Sequence, residues 1–239
     1  MLPTQRLFLE DAYADTMDTH ILAVEQDRIA LAETVFYARG GGQPGDNGML
    51  LLPSGEEITI IDTVKSQTEP GLIWHQTEAM QPATLVGTKV TGRLEWQRRY
   101  RHMQMHTALH LLCAVIDAPV TGGAVGAESS RLDFDLPDQS PEKEVITEKL
   151  AALLDAGLEV SSSSITASEL ADNPALVRTV AVQPPADGGR IRMVKIGEVD
   201  FQPCGGTHVR NTSEIAPLII DKIKKKGRAN RRLNLVWAS

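Results

Sequence analysis

Two short stretches, nearly a hundred residues apart, restrict this chain more than anything else in it. The first is Arg101-His102-Met103-Gln104-Met105-His106-Thr107-Ala108-Leu109-His110-Leu111-Leu112. It contains no Gly or Pro and is rich in helix formers, so it reads as a helix. His106 and His110 are one helical turn apart, and their imidazoles leave the same face. The second stretch is Cys204-Gly205-Gly206-Thr207-His208. Zinc takes thiolate and imidazole ligands in tetrahedral geometry, usually as two local pairs that the fold brings together. Either pair alone has an ordinary alternative, two core or surface histidines or a thiol in a turn. In a chain with six histidines and two cysteines, the two pairs together point to one zinc ion held by His106, His110, Cys204 and His208. Four protein ligands are the usual mark of a closed structural site, whereas catalysis needs a position open to water. The sequence leaves both options standing.

The remaining features set the context for that site. At 239 residues the chain has room for one large core or two modest ones. Its hydrophobic share of 42% and charged share of 23% are those of an ordinary soluble globular protein. No run approaches the roughly 20 apolar residues of a membrane span. The opening Met1-Leu2-Pro3-Thr4-Gln5-Arg6 lacks the layout of a signal peptide. The expectation is a cytosolic protein with no membrane partner and no structural disulfide. Cys113 lies in an apolar run and reads as core. The net charge of -7 argues against a surface that coats nucleic acid everywhere. The distribution says otherwise locally, because residues 222–232 carry Lys222, Lys224, Lys225, Lys226, Arg228, Arg231 and Arg232 without one acid. Removing that +7 leaves about -14 for the rest, which suits a confined anionic contact on an acidic body.

Read in order, residues 1–93 are β-rich. Ile21-Leu22-Ala23-Val24, Arg28-Ile29-Ala30-Leu31, Gly48-Met49-Leu50-Leu51-Leu52 and Glu57-Ile58-Thr59-Ile60-Ile61 are short apolar runs separated by turn formers. Gly71-Leu72-Ile73-Trp74-His75 and Val86-Gly87-Thr88-Lys89-Val90 continue the series, which suggests a small barrel or sandwich. Within it, Arg39-Gly40-Gly41-Gly42-Gln43-Pro44-Gly45 is a glycine-rich loop that serves as a hairpin connection or lets backbone approach a ligand. A second domain, residues 94–239, begins with the histidine helix from Gln97 to about Ile116. Residues 120–126 read as a turn, and 130–136 as a strand. A second helix opens with Ser140 as N-cap and Pro141 at its first position, with an apolar face of Val145, Ile146, Leu150, Leu153 and Leu154. Strand-like 158–166, a short helix from Ser168, a loop over 184–189 and a strand over 191–196 follow. The chain closes with a strand pair over 218–223 and 232–236. The expected class is α+β, a small N-terminal β-barrel domain followed by a C-terminal α+β domain.

His106-Thr107-Ala108-Leu109-His110-Leu111-Leu112 and Cys204-Gly205-Gly206-Thr207-His208-Val209 resemble the paired signatures of the alanyl-tRNA synthetase editing domain and its free-standing relatives, the AlaX proteins. The editing domain of threonyl-tRNA synthetase shares the histidine–cysteine pattern. The glycine-rich stretch over 36–48 is similar to the N-terminal domain of medium-length AlaX proteins, so the resemblance covers most of the chain. It implies an editing domain of the threonyl/alanyl synthetase type, and zinc-dependent hydrolysis of the ester joining a wrong amino acid to tRNA(Ala), chiefly serine and secondarily glycine. A synthetase pocket for alanine rejects a hydroxyl-bearing isostere poorly, which makes a second, hydrolytic sieve useful. On this reading Thr107 reads the serine hydroxyl. Backbone amides of Gly205 and Gly206, or of the substrate-pocket loop Gly40, Gly41, Gly42 and Gln43, hold the oxyanion. The basic cluster over 222–232, with Arg98, Arg99 and Arg101, meets tRNA phosphates. The turn Thr121-Gly122-Gly123-Ala124-Val125-Gly126 lacks the glutamine that synthetase editing domains carry after the histidine helix. Two rival readings predict part of the same pattern: a zinc-stabilised tRNA-binding module without hydrolysis, and a small-molecule metallohydrolase with no use for the basic cluster.

Overall fold

Alternating burial along residues 16–25 shows how the first half of the chain folds. Met17, Thr19 and Ile21 point inward while Thr16, Asp18 and His20 face out, the period-2 signature of a strand with one buried face. The computed structural model describes residues 2–137, 142–179, 186–187 and 189–238. The chain folds into two compact units. One comprises Met1–Gly40 and Pro44–Tyr100, the other Gly41–Gln43 and Arg101–Ser239.

In the first unit six strands close a barrel: β1 (Thr16–Glu25), β2 (Arg28–Leu31), β3 (Gly48–Leu51), β4 (Glu57–Lys65), β5 (Ile73–Thr77) and β6 (Lys89–Leu94). The order around the barrel is β1-β2-β5-β4-β3-β6, and every neighbour pair is antiparallel. Closure leaves no free sheet edge, which removes the main aggregation hazard of an all-β unit. Gln26 at φ 53° makes the tight β1–β2 turn. Ile21, Ile29, Leu31, Phe36, Leu50, Ile58, Ile60, Val90 and Leu94 fill the interior. Among them His75 is fully buried, its ring held between Thr34 Oγ1 at 2.8 Å and the Ile29 carbonyl at 3.1 Å.

Helix α1 (Trp96–Val115) starts in the first unit and continues into the second. Every residue from 102 to 113 is buried, so over that stretch the helix is a core element with no solvent face. Strand β7 (Val120–Ala124) follows, then β8 (Ser129–Asp135), α2 (Lys143–Asp155), β9 (Val160–Thr166), α3 (Ala167–Asp172), β10 (Arg190–Ile196), β11 (Asp200–Pro203), β12 (Leu218–Lys226) and β13 (Asn230–Trp237). One sheet runs β12-β13-β8-β7; in another, β10 pairs with both β9 and β11. Thr166 caps α3 reciprocally with Glu169.

Three expectations need correcting. Residues 120–124 were expected as a turn and form the edge strand β7 beside β8. Their glycines serve close approach instead, since a Cβ on Gly123 would lie 2.9 Å from Leu132 Cδ2. Val145, expected on the buried face of α2, is exposed, because that face runs at i, i+4 through Ile146, Leu150 and Leu154. Part of the expected 184–189 loop, Ala186–Asp187, is a two-residue strand on β10. Ser140, Pro141, Pro184, Pro185 and Gly188 lie outside the described residues, where α2 has Glu142 at its N-cap position.

Candidate metal centre

The helical spacing of His106 and His110 and the turn after β11 bring four side chains of the second unit together. His106, His110, Cys204 and His208 are all buried, and their ligand atoms lie within 4.8 Å of one another. Cys204 Sγ stands 3.2 Å from His208 Nε2 and 3.6 Å from His106 Nε2. Bonds of the length zinc makes to sulfur and nitrogen place tetrahedral ligands about 3.3–3.8 Å apart. The donor set, three imidazoles and one thiol, is also the one zinc favours. The residues present therefore fit a single such ion.

Each ring meets a polar neighbour outside the cluster through Nδ1. His106 Nδ1 lies 2.9 Å from Gln43 Oε1, His110 Nδ1 lies 2.8 Å from Asp200 Oδ2, and His208 Nδ1 lies 3.1 Å from Thr107 Oγ1. Asp200 is itself gripped by Gln202, whose amide nitrogen is 3.0 and 3.1 Å from its two oxygens. Such outer partners fix ring orientation and raise ligand basicity. Arg192 donates from Nη1 to the carbonyls of Cys204 (2.9 Å) and Gly206 (3.0 Å), clamping the turn that carries the thiol.

Burial opposes charge at Cys204, His110 and His208, and their neighbours decide the balance. Burial pushes the Cys204 thiol up, but the facing His106, His208 and His110 override it and hold the thiol well below its usual range. Burial pulls His110 down, and the Cys204 sulfur with the Asp200 carboxylate reverse this, raising it to about 10. Burial wins at His208, which falls to about 3 and is neutral. Cys204 and His110 are thus the two groups whose charged forms their neighbours favour.

Other expected site residues are placed differently. Thr107 is fully buried and donates its one hydroxyl proton to Met103 O at 2.9 Å. Its lone pairs face His208 Nδ1 and the Val209 amide, so it braces a ligand and keeps no donor for a substrate hydroxyl. The Gly206 amide, expected to hold an oxyanion, donates to Cys204 Sγ at 3.4 Å. A Cβ at Gly206 would sit 2.2 Å from His106 Cε1, so the position has no room for a side chain. Gln43 is 1% exposed, and its amide faces His106 and Thr207.

The basic residues divide into two groups. Lys222, Lys224, Lys225, Lys226 and Arg228 are exposed on the β12–β13 hairpin, Lys222 with Asp221 at 3.5 Å. Arg101 is half exposed, pairs with Glu128 at 2.5 Å and lies over the Trp237 ring. Arg98 bonds the Gly45 carbonyl at 2.8 Å. The expectation fails for Arg99, which is fully buried in an ion pair with Asp46. It fails also for Arg231, buried and bonded to the Pro137 carbonyl. Arg232 is largely occupied by Asp133, with two bonds of 2.7 Å. Asp200, Gln202 and Arg192 were not anticipated. Asp200, Gln202 and Cys204 alternate along β11 into the following turn, so strand periodicity would have put all three on one buried face.

Comparison with known proteins adds an independent line. A family model described as the threonyl and alanyl tRNA synthetase second additional domain matches residues 191–234, and one for class II tRNA synthetases matches residues 7–98. The alanyl-tRNA editing protein AlaX-M of Methanosarcina barkeri is 35% identical over 239 residues, covering 96% of this chain and 97% of that protein. AlaX-M of Saccharolobus solfataricus is 32% identical, with the same coverage of each. The alanine–tRNA ligase of Sulfurisphaera tokodaii is 33% identical over 93% of this chain, which spans 25% of that enzyme.

Proposed function

The chain belongs to the AlaX-M family of alanyl-tRNA editing proteins, and on that premise we propose that it hydrolyses the ester of mischarged tRNA(Ala), chiefly the seryl and secondarily the glycyl ester. The observation that carries this reading is the buried cluster of His106, His110, Cys204 and His208. We assign it one zinc ion. Bound there, zinc would supply the Lewis-acid charge that acidifies a water and polarises an ester carbonyl. The protein's own work is positional. Gln43, Asp200 and Thr107 hold the three rings, and Arg192 holds the Cys204–Gly206 turn. Thr107 acts in the pocket through His208 rather than by touching the substrate. With the Gly206 amide on sulfur, the Gly205 amide is the remaining donor of that turn proposed for the oxyanion.

In this proposal the labour divides between a barrel domain over 1–93 and a metal-binding editing domain over 94–239. The exposed Lys222, Lys224, Lys225, Lys226 and Arg228 of the hairpin, together with Arg101, are the phosphate contacts in this proposal. Among the described residues no helix is long and apolar enough to cross a membrane.

The test is deacylation of Ser-, Gly- and Ala-tRNA(Ala) by zinc-loaded protein, with and without chelator. Seryl ester should be lost, alanyl ester spared, and chelator should stop the reaction. A seryl ester that persists overturns the enzyme reading and leaves a tRNA-binding module. Stoichiometric zinc retained by the Cys204→Ala/His208→Ala double variant overturns the metal assignment.

A further inference from the structure

We infer that Gln43, delivered by the glycine-rich loop, is a positioning residue that fixes the tautomer and orientation of His106 toward the cluster. The inference rests on the metal-site reading above and extends it to a side chain from the opposite end of the chain.

The hydrogen bonds around the Gln43 amide admit one assignment. The Thr207 peptide N–H can only donate, so the Gln43 atom 3.1 Å from it is the oxygen. The Gln43 NH₂ group then faces Thr207 Oγ1 at 2.8 Å. The same oxygen lies 2.9 Å from His106 Nδ1, and an amide oxygen cannot donate. His106 Nδ1 must therefore carry the hydrogen. A neutral imidazole, the form that ligates a metal, carries one, so in that form Nε2 is bare, and it is Nε2 that faces Cys204 Sγ at 3.6 Å. The ring presents a lone pair where a metal needs one.

Two further observations show that the arrangement is built in. Gly41 and Gly42 have φ of +57° and +83°, left-handed values that side-chain-bearing residues rarely adopt. The Gly42 carbonyl accepts from Val125 N at 2.8 Å, and a Cβ there would lie 3.1 Å from Gly123 O. The loop tip is thus tied to the strand β7, and Gln43 follows directly. On the other side, a Cβ at Gly206 would come within 2.8 Å of Gln43 Oε1 as well as meeting the His106 ring. Only glycine at that position lets amide, imidazole and turn converge. His110 has a carboxylate partner, His208 a hydroxyl and His106 an amide oxygen.

Nitrogen NMR of the wild-type protein should show a hydrogen on His106 Nδ1 both metal-free and zinc-loaded, and a bare Nε2 in the zinc-loaded form. A bare Nδ1 in either form overturns the inference without any variant. Gln43→Met keeps bulk and removes the acceptor, and should lower zinc affinity 10–100-fold in competition with a chromophoric chelator. Gln43→Glu keeps an acceptor oxygen and should stay within a few-fold of wild type. A folded Gln43→Met protein within threefold of wild type overturns the inference, and so does a Gln43→Glu protein that loses as much as Gln43→Met. Should Gln43→Met fail to fold, the wild-type tautomer and the Gln43→Glu affinity decide. Wild-type protein that shows the Nδ1–H tautomer but takes up no zinc sinks the metal reading alone.

Discussion

Replacing Arg99 by leucine tests the packing of the first unit and separates burial from nucleic-acid contact. Its guanidinium is 0% exposed and makes four hydrogen bonds to three acceptors. Nε and Nη2 both reach Asp46 Oδ2, the first at 2.8 Å; Nη2 also reaches the Val35 carbonyl at 2.6 Å, and Nη1 the Ala12 carbonyl at 3.0 Å. Asp46 is 2% exposed, and the same oxygen accepts the Tyr37 amide at 2.7 Å. Arg99→Leu removes the cation and leaves a buried carboxylate with one peptide N–H. Breaking a buried pair on one side costs about 3–5 kcal/mol. At roughly 2–8 °C per kcal/mol, depending on the size of the unit that melts, the midpoint should fall by on the order of 10 °C or more. Differential scanning calorimetry reads this directly. Adding Asp46→Leu removes the stranded charge, so the double variant should recover part of the loss. An Arg99→Leu protein that melts within about 2 °C of wild type but binds tRNA more weakly would refute the reasoning and return Arg99 to the surface.

Gly206→Ala should weaken zinc binding by about 100-fold or more. Its Cβ would meet His106 Cε1 at 2.2 Å where ordinary contact begins at 3.4 Å, while zinc ligands tolerate displacements of about 0.2 Å; a change below threefold in chelator competition would contradict this. His75, brought down to about 4 by burial against the opposing Ile29 hydrogen bond, stays neutral in the fold while the unfolded chain takes a proton below about 6.5. Stability contributed by neutral His75 is therefore full above that value and falls as pH drops, levelling near pH 4 after a loss on the order of 3 kcal/mol. Urea midpoints at pH 7 and pH 4.5 should separate more for wild type than for His75→Gln. Charge reversal at Lys224, Lys225 and Lys226 should lower tRNA affinity and flatten its salt dependence; an unchanged slope would take the hairpin out of the interface.

The barrel strands and α1 were legible because their burial follows simple periods, two for β1 and the absence of any breaker for the histidine helix. The four clustered residues were legible because ligand chemistry limits which side chains are worth pairing. What escaped notice shares a physical cause: residue type was read without its direction. Arg231 belongs to a basic run, but along β13 it shares a face with Leu233 and Leu235 and turns inward with them. Arg99 sits beside Arg98 on α1, and only tertiary packing decides which of the two is covered. The glycines of β7 looked like a turn because their use is to admit side chains of the neighbouring strand, which no local pattern announces. Asp200 and Gln202 lie outside the motif, and only their alternation with Cys204 marks them in the sequence.

The bond between Gln43 and Thr207 joins positions 164 residues apart. Translation at roughly 5–20 residues per second separates their appearance by about ten to thirty seconds. Once His110 has been made, the nascent chain carries the glycine loop and the histidine pair, but neither the Cys204 thiol nor the peptide N–H that orients the amide. On the metal-site reading proposed above, the four residues can meet only after His208 has been made. A chain halted before residue 204 would have a barrel to fold but only the His106–His110 half of the cluster, so a complete four-residue site reports that synthesis has passed His208.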